Sequence, residues 1–135
     1  MSNGNTHLLA GVICGVVISP VIQNKLHEKN DVEIGHLVLC ASTGLIGGRI
    51  PDILEPPLNP NHRAFFHSII FGLILCLGLK ELWKKVRSKV KDRKLRGETI
   101  ITGSEFLLAL IFVGLIAVLL HLVMDSFTKK SLPFI

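Results

Sequence analysis

Four apolar blocks alternate with polar connectors along the chain: residues 8–22, 32–50, 64–79 and 106–124. The last holds nineteen residues with one polar exception, His121. That is close to the roughly twenty residues a helix needs to cross a ~30 Å hydrocarbon core. The other three blocks are shorter, and each alone would suit the core of a soluble protein. Four in series, with polar groups only at their ends, predict a membrane bundle.

The connectors carry the boundary signals. Asn5-Thr6-His7 opens the first block as a helix cap, and Ser19-Pro20 comes near its end. The polar connector 23–33 carries His27, and Asp31 is placed to cap the second helix. That helix is rich in small residues (Ala41, Ser42, Gly44, Gly47, Gly48), which let helices approach closely in lipid. Pro51 should end it, because the residue before a proline avoids the α region. Asn61 is placed to cap the third helix, which should run on past Leu79 into a basic stretch. There Leu79, Leu82, Trp83, Val86 and Val90 recur at three- and four-residue spacing. A narrow apolar stripe on a basic helix suits a membrane surface, with Trp83 at the interface. Gly97 breaks the pattern, and Thr102 with Glu105 reads as a capping box opening the fourth helix.

The expected fold is therefore all-α. One membrane-embedded domain, residues 1–135, forms an antiparallel four-helix transmembrane bundle with a basic cytoplasmic helical extension. Composition agrees: 49% of residues are hydrophobic, 19% are charged, and mean hydropathy is +0.53. Met1 to Asn5 lacks the basic start of a cleavable signal peptide. The net charge of +5 matters less than its distribution. Residues 80–96 hold nine Lys/Arg, and Lys25 and Lys29 bring their end of the bundle to eleven of the chain's fifteen. The positive-inside rule makes that end cytoplasmic, with the opposite end outside or periplasmic. The three cysteines, Cys14, Cys40 and Cys76, lie in apolar blocks and read as small hydrophobes.

Up-down-up-down connection gathers the candidate chemistry at one end. His7, Asp52, His62, His67, His121 and Asp125 all fall at the end away from the basic loop, whereas His27 and His36 fall at the other. His121 and Asp125 share a helix face at i, i+4. Such a pair at a membrane boundary is either a functional site or a hydrogen bond joining two helices. Asp52 follows a helix end, where the dipole disfavours an anion, so it needs another partner. His67 points at the bundle one turn into the third helix; His62 lies on the loop before it, as a weaker ligand or a solvated loop end. Histidine and aspartate without thiolate suit a divalent metal ion, zinc first, with manganese or iron as alternatives. Arg49 and Arg63 are placed to hold an anionic group such as phosphate.

These residues also resemble a known family. Thr6-His7 with Gly11, Pro51-Asp52, His62-Arg63 with His67-Ser68, and His121 with Asp125 and Thr128 are similar to the membrane-bound metal-dependent hydrolases, some described as LexA-regulated inner-membrane hydrolases. That family is distantly similar to zinc-dependent phospholipase C and S1/P1 nuclease. The resemblance implies His7, Asp52, His67, His121 and Asp125 as metal ligands; the residues nearby add Glu55 or His62 to handle protons and Arg63 to hold the anion. The chain departs from the family's Pro-Asp-x-Asp-His pattern, reading Pro51-Asp52-Ile53-Leu54-Glu55.

The expected function is a metal-dependent hydrolase in the bacterial inner membrane, its site on the outer or periplasmic side. It would cleave a phosphoester or lipid headgroup with a metal-activated water. The alternative is a non-enzymatic membrane protein, a transporter or partner subunit, with a structural His/Asp network. The expected partners are membrane lipids and a phosphorylated or lipid substrate. A nucleic-acid role for residues 80–96 is not expected, since the run reads more simply as a topology determinant touching anionic lipids.

Overall fold

The computed structural model describes residues 4–27, 33–54 and 68–127. They form α1 (Gly4–His27), α2 (Ile34–Gly47), α3 (Ile50–Leu54), α4 (Ile69–Leu95) and α5 (Gly103–Ser126), with no strand among the described residues. Three stretches, Asn5–Leu26, Ile34–Leu54 and Gly103–Ser126, are long and apolar enough to cross a membrane. The second joins α2 to α3. The fourth span expected is not established, because α4 has the length, 27 residues, but only its first half is apolar.

α1, α2 and α5 pack against one another, and α4 lies against α5. The α1–α2 contact is backbone on backbone. A Cβ at Gly11 would strike the Gly44 carbonyl, and one at Gly44 would strike the Gly11 carbonyl. α2 meets α5 in the same way, with Gly47 against the Gly114 backbone. Lipid gives no hydrophobic drive for helices to associate, so close van der Waals approach through small residues does that work. The large apolar side chains point outward instead, among them Leu9, Ile13 and Val17 on α1, Val38 and Ile46 on α2, and Leu107 on α5.

Several boundaries differ from expectation. α1 continues through Pro20 to His27, so the first part of the polar connector is helical. Asp31 lies outside the described residues. α2 starts at Ile34 behind Glu33, whose own side chain makes no capping bond. The side chain of Gln23 caps it: Oε1 accepts the Glu33 N–H at 2.8 Å, while Nε2 donates to His36 Nδ1 at 2.9 Å. His36 is thus a buried polar tie between α1 and α2, at the end opposite His7 and His121. At the other end of α2 the helix stops at Gly47, before Pro51. Pro51 sits in the first turn of α3, where its missing N–H costs nothing. Asn61 and residues 64–67 lie outside the described residues, and the described part of the third block begins with Ser68 as N-cap, accepting the Phe71 N–H at 3.1 Å. The capping box at Thr102 and Glu105 is present as expected. Cys14 and Cys40 are buried, but Cys76 is exposed.

The largest correction concerns the basic half of α4. It does not project beyond the bundle but runs antiparallel beside α5. Gly72 lies against Leu122, and Trp83 stacks on Phe112 with ring centroids 5.0 Å apart. Val86 and Val90 join Ala109 and Val113 in one core cluster with Ile22 and Leu26. Arg93 Nε reaches Glu105 Oε2 at 3.4 Å, and the same guanidinium donates to the Leu26 carbonyl. The apolar stripe assigned to a membrane surface is therefore an internal packing face. Trp83 is correspondingly stacked six residues inside the apolar stretch of α5, not at its edge. Exposed cations of α4, Lys84 and Lys85 among them, stand close to that level of α5.

Candidate metal centre

His7 arrives on the second turn of α1, Asp52 in the first turn of α3, and His121 and Asp125 on successive turns of α5. The antiparallel packing of α1 on α5, and the end of α2 leading into α3, bring the four to one place. His7, His121 and Asp125 are 4%, 1% and 1% exposed. The Asp52 side chain is 30% exposed and forms the open edge of the cluster. The His7 and His121 rings stack with centroids 4.0 Å apart.

The hydrogen-bond pattern of His121 fixes the character of the site. Its Nδ1 lies 2.7 Å from the Gly48 carbonyl. A carbonyl only accepts, so Nδ1 carries the hydrogen and donates. The opposite nitrogen, Nε2, then faces two carboxylate oxygens, Asp125 Oδ2 at 3.4 Å and Asp52 Oδ1 at 3.6 Å. His7 Nε2 lies 3.5 Å from Asp125 Oδ1. In the neutral ring, Nε2 is a lone pair aimed at lone pairs, so a cation is required between them, either a proton or a metal ion. An imidazole oriented through its other nitrogen by a carbonyl is the usual outer support of a metal-ligating histidine.

The spacing fits a metal ion. Ligands about 2.0–2.1 Å from a tetrahedral zinc stand roughly 3.3–3.4 Å apart along the tetrahedron's edge. His121 and His7 approach different oxygens of Asp125, at 3.4 and 3.5 Å, and His121 stands 3.6 Å from Asp52; each contact is near that edge length and beyond the ~2.7–3.2 Å of ordinary N–H···O bonds, with Asp125 offering one oxygen to each imidazole. Candidate ligand atoms of His7, His121 and Asp125 all fall within 4.8 Å of one another. Two imidazoles and two carboxylates form a set suited to zinc or a similar borderline ion.

Of the expected ligands, His7, Asp52, His121 and Asp125 are brought together. His67, with the expected catalytic Glu55, His62 and Arg63, lies outside the described residues. The reasoning about Asp52 changes. It does not follow a helix C-terminus but occupies the first turn of α3, where the helix dipole favours an anion. The Gly48 carbonyl was missed as a participant. Gly47-Gly48 read only as a small-residue contact, and main-chain acceptors leave no mark on a sequence. Arg49, on the turn between α2 and α3, is exposed.

No curated protein and no solved structure matches the chain. Nothing in these comparisons indicates a phospholipase C-like or nuclease-like hydrolase, and the kinship with metal-dependent hydrolases expected from the motifs is corrected accordingly. The family that does match is described as YdjM inner membrane protein, and its model covers residues 1–135, the full length of the chain. The protein therefore belongs to the YdjM inner membrane protein family, which with its three membrane-length helices assigns it to the inner membrane.

Proposed function

We propose that this inner-membrane protein holds one divalent cation, zinc first, between His7, His121, Asp125 and Asp52. The cation would serve hydrolysis of a phosphoester or lipid headgroup. The observation that carries the metal reading is the committed ring of His121: Nδ1 donates to Gly48, and Nε2 faces two carboxylates. A divalent ion in such a site supplies Lewis acidity and lowers the pKa of water. The chain's own contribution is to hold the donors rigidly in a dry setting, with Asp52 as the one partly exposed member. α4, which runs from the site end to the far end beside α5, is taken as the fourth crossing element. The concentration of Lys and Arg at the far end supports a cytoplasmic location for it, with the site facing the periplasm.

A second reading is a non-enzymatic membrane protein in which the same residues form a structural network. The His7–Asp125 and His121–Asp125 ion-pair contacts where α1 meets α5 favour it, and so does membership of a family described as inner membrane protein. Metal analysis of protein purified without chelator separates the two. The first reading expects about one divalent ion per chain, lost in the His7→Ala/Asp125→Ala variant. Wild-type protein that neither carries nor takes up such an ion would leave the structural network as the function of the cluster. Retained metal with no turnover of phospholipid or nucleotide phosphoesters would remove the hydrolase and keep the metal site.

A further inference from the structure

The cations of α4 form a ladder. Lys80, Lys84, Arg87, Lys91 and Lys94 recur at intervals of four, three, four and three residues, which on a helix places them on one face. All five are exposed. Val86, Val90 and Arg93, buried against the bundle, lie roughly 110° round the helix from it at 100° per residue. The ladder therefore runs along one open flank of α4.

Its depth is set by the antiparallel register with α5. Trp83 is level with Phe112 and Arg93 with Glu105, so Lys84, Arg87 and Lys91 are level with the α5 residues between. Those residues include Leu107 and Ile111, both exposed and apolar. At 1.5 Å per residue, Phe112 is about 9 Å inside the apolar stretch that starts at Phe106. One side of the molecule at this level is thus apolar and suited to acyl chains, while the α4 side bears a row of positive charges. Glu81, paired with Lys84 at 2.6 Å, and Asp92 are the acids on the same helix segment. They do not balance eight Lys/Arg between residues 80 and 95. A second copy of this chain is a poor cover for the face, because two such ladders repel.

We infer that the α4 ladder is a binding surface for anionic phospholipid headgroups, drawn down along the helix to the level of Lys84. Charge complementarity names the occupant, and continuity with the membrane surface at the Lys94 end supplies it. Anionic lipids are attracted to clustered Lys and Arg beside a span, and long basic side chains extend toward the headgroups. The bilayer on this side of the molecule is then locally thinned, while the α1 and α5 sides keep full thickness.

The test uses the full-length protein reconstituted in vesicles of equal phosphatidylglycerol and phosphatidylcholine. Lipids retained on gentle detergent extraction are identified by native mass spectrometry. The expected result is several-fold enrichment of phosphatidylglycerol on the wild type. It should fall to about the mixing ratio in Lys84→Gln/Arg87→Gln/Lys91→Gln and persist in the charge-preserving Lys84→Arg/Lys91→Arg. Equal retention of both lipids on the wild type, or unchanged enrichment on the glutamine variant, would overturn the inference. So would an acidic protein partner held by the ladder in place of lipid. Depth is read separately from spin labels at Lys84→Cys and Ile111→Cys, each in a Cys76→Ser background. A water-soluble nickel relaxant should reach the first and not the second. Equal access at both sites would mean that this level lies outside the hydrocarbon, and the inference would fail.

Discussion

At the scale of single residues, the end opposite the metal centre is held by a buried charge pair. Arg93 and Glu105 are 4% and 1% exposed. Glu105 both accepts the Thr102 N–H at 3.0 Å, closing the capping box of α5, and faces Arg93 at 3.4 Å. Arg93 also donates to the carbonyls of Leu26 and Thr99, so one guanidinium ties α4 to the end of α1 and to the α4–α5 turn. Removing one partner of a buried pair leaves an uncompensated charge and typically costs about 3–5 kcal/mol, whereas replacing both with apolar residues costs far less. Arg93→Met should therefore destabilise by about that amount. Arg93→Met/Glu105→Leu should be less damaging than the sum of its parts, though the lost capping bond keeps it above zero. Reversible unfolding in mixed micelles measures the cycle, and additive effects would show that the two charges are not coupled. Little of this was legible beforehand. Glu105 announced its capping role through Thr102, three residues away in sequence. Arg93 looked like one more member of a basic run, because its partners on α1 and α5 are distant in the chain.

Helices made of similar apolar residues are held here by what they lack. Gly11 and Gly44 face each other with no room for a side chain, and Gly47 and Gly114 repeat the contact between α2 and α5. Gly78, by contrast, has nothing within 4 Å of where its Cβ would stand. The same substitution should therefore act in opposite directions. Gly78→Ala should stabilise α4 by up to about 1 kcal/mol, through the helix preference of alanine over glycine. Gly11→Ala should destabilise by roughly 1–3 kcal/mol, since the obstruction is backbone that cannot swing aside. It should also weaken metal retention, because α1 carries His7, and a helix pushed off α2 takes its ligand away from His121. A Gly11→Ala protein as stable as the wild type, with metal retention intact, would show that the helices have slack at this contact. The sequence marked the small residues of α2 but not how α1 matches them. That match depends on the register of two helices joined by a connector, which spacing alone does not reveal. Nor did Pro51 end α2 as expected. Gly47 and Gly48 ended it earlier, and the proline began a new turn that carries Asp52 into the site.

For the molecule as a whole, the apolar blocks foretold the helices, and their alternating direction placed His7, Asp52, His62, His67, His121 and Asp125 at one end, of which His7, Asp52, His121 and Asp125 lie among the described residues and meet there. Periodicity could not say what the stripe Leu82, Trp83, Val86 and Val90 packs against. A membrane surface and a neighbouring helix both accept an apolar stripe, and only the structure shows α5 there. That difference bears on orientation. In the expected arrangement the basic stretch is a free arm. In the structure it is bound into the bundle, so the turn at its end, where Gly97 takes the left-handed φ of 71° and Arg96 bridges to Glu98 at 2.7 Å, marks a fixed end of the protein. If clustered Lys and Arg keep that end in the cytoplasm, a reporter inserted after Gly97 should read as cytoplasmic. A reporter ahead of Gly4 should read as periplasmic, because α1 begins at the site end. The two readouts must be opposite if α4 runs the full depth beside α5 and α1 crosses. Two cytoplasmic signals would mean an even number of crossings before Gly97, so that either α4 or α1 does not cross the membrane. Replacing Lys80, Lys84, Arg87 and Lys91 together with glutamine should weaken the preference and yield mixed signals from both reporters. An unchanged, uniform orientation in that variant would shift the topology signal to Lys25, Lys29 and the cations near Gly97.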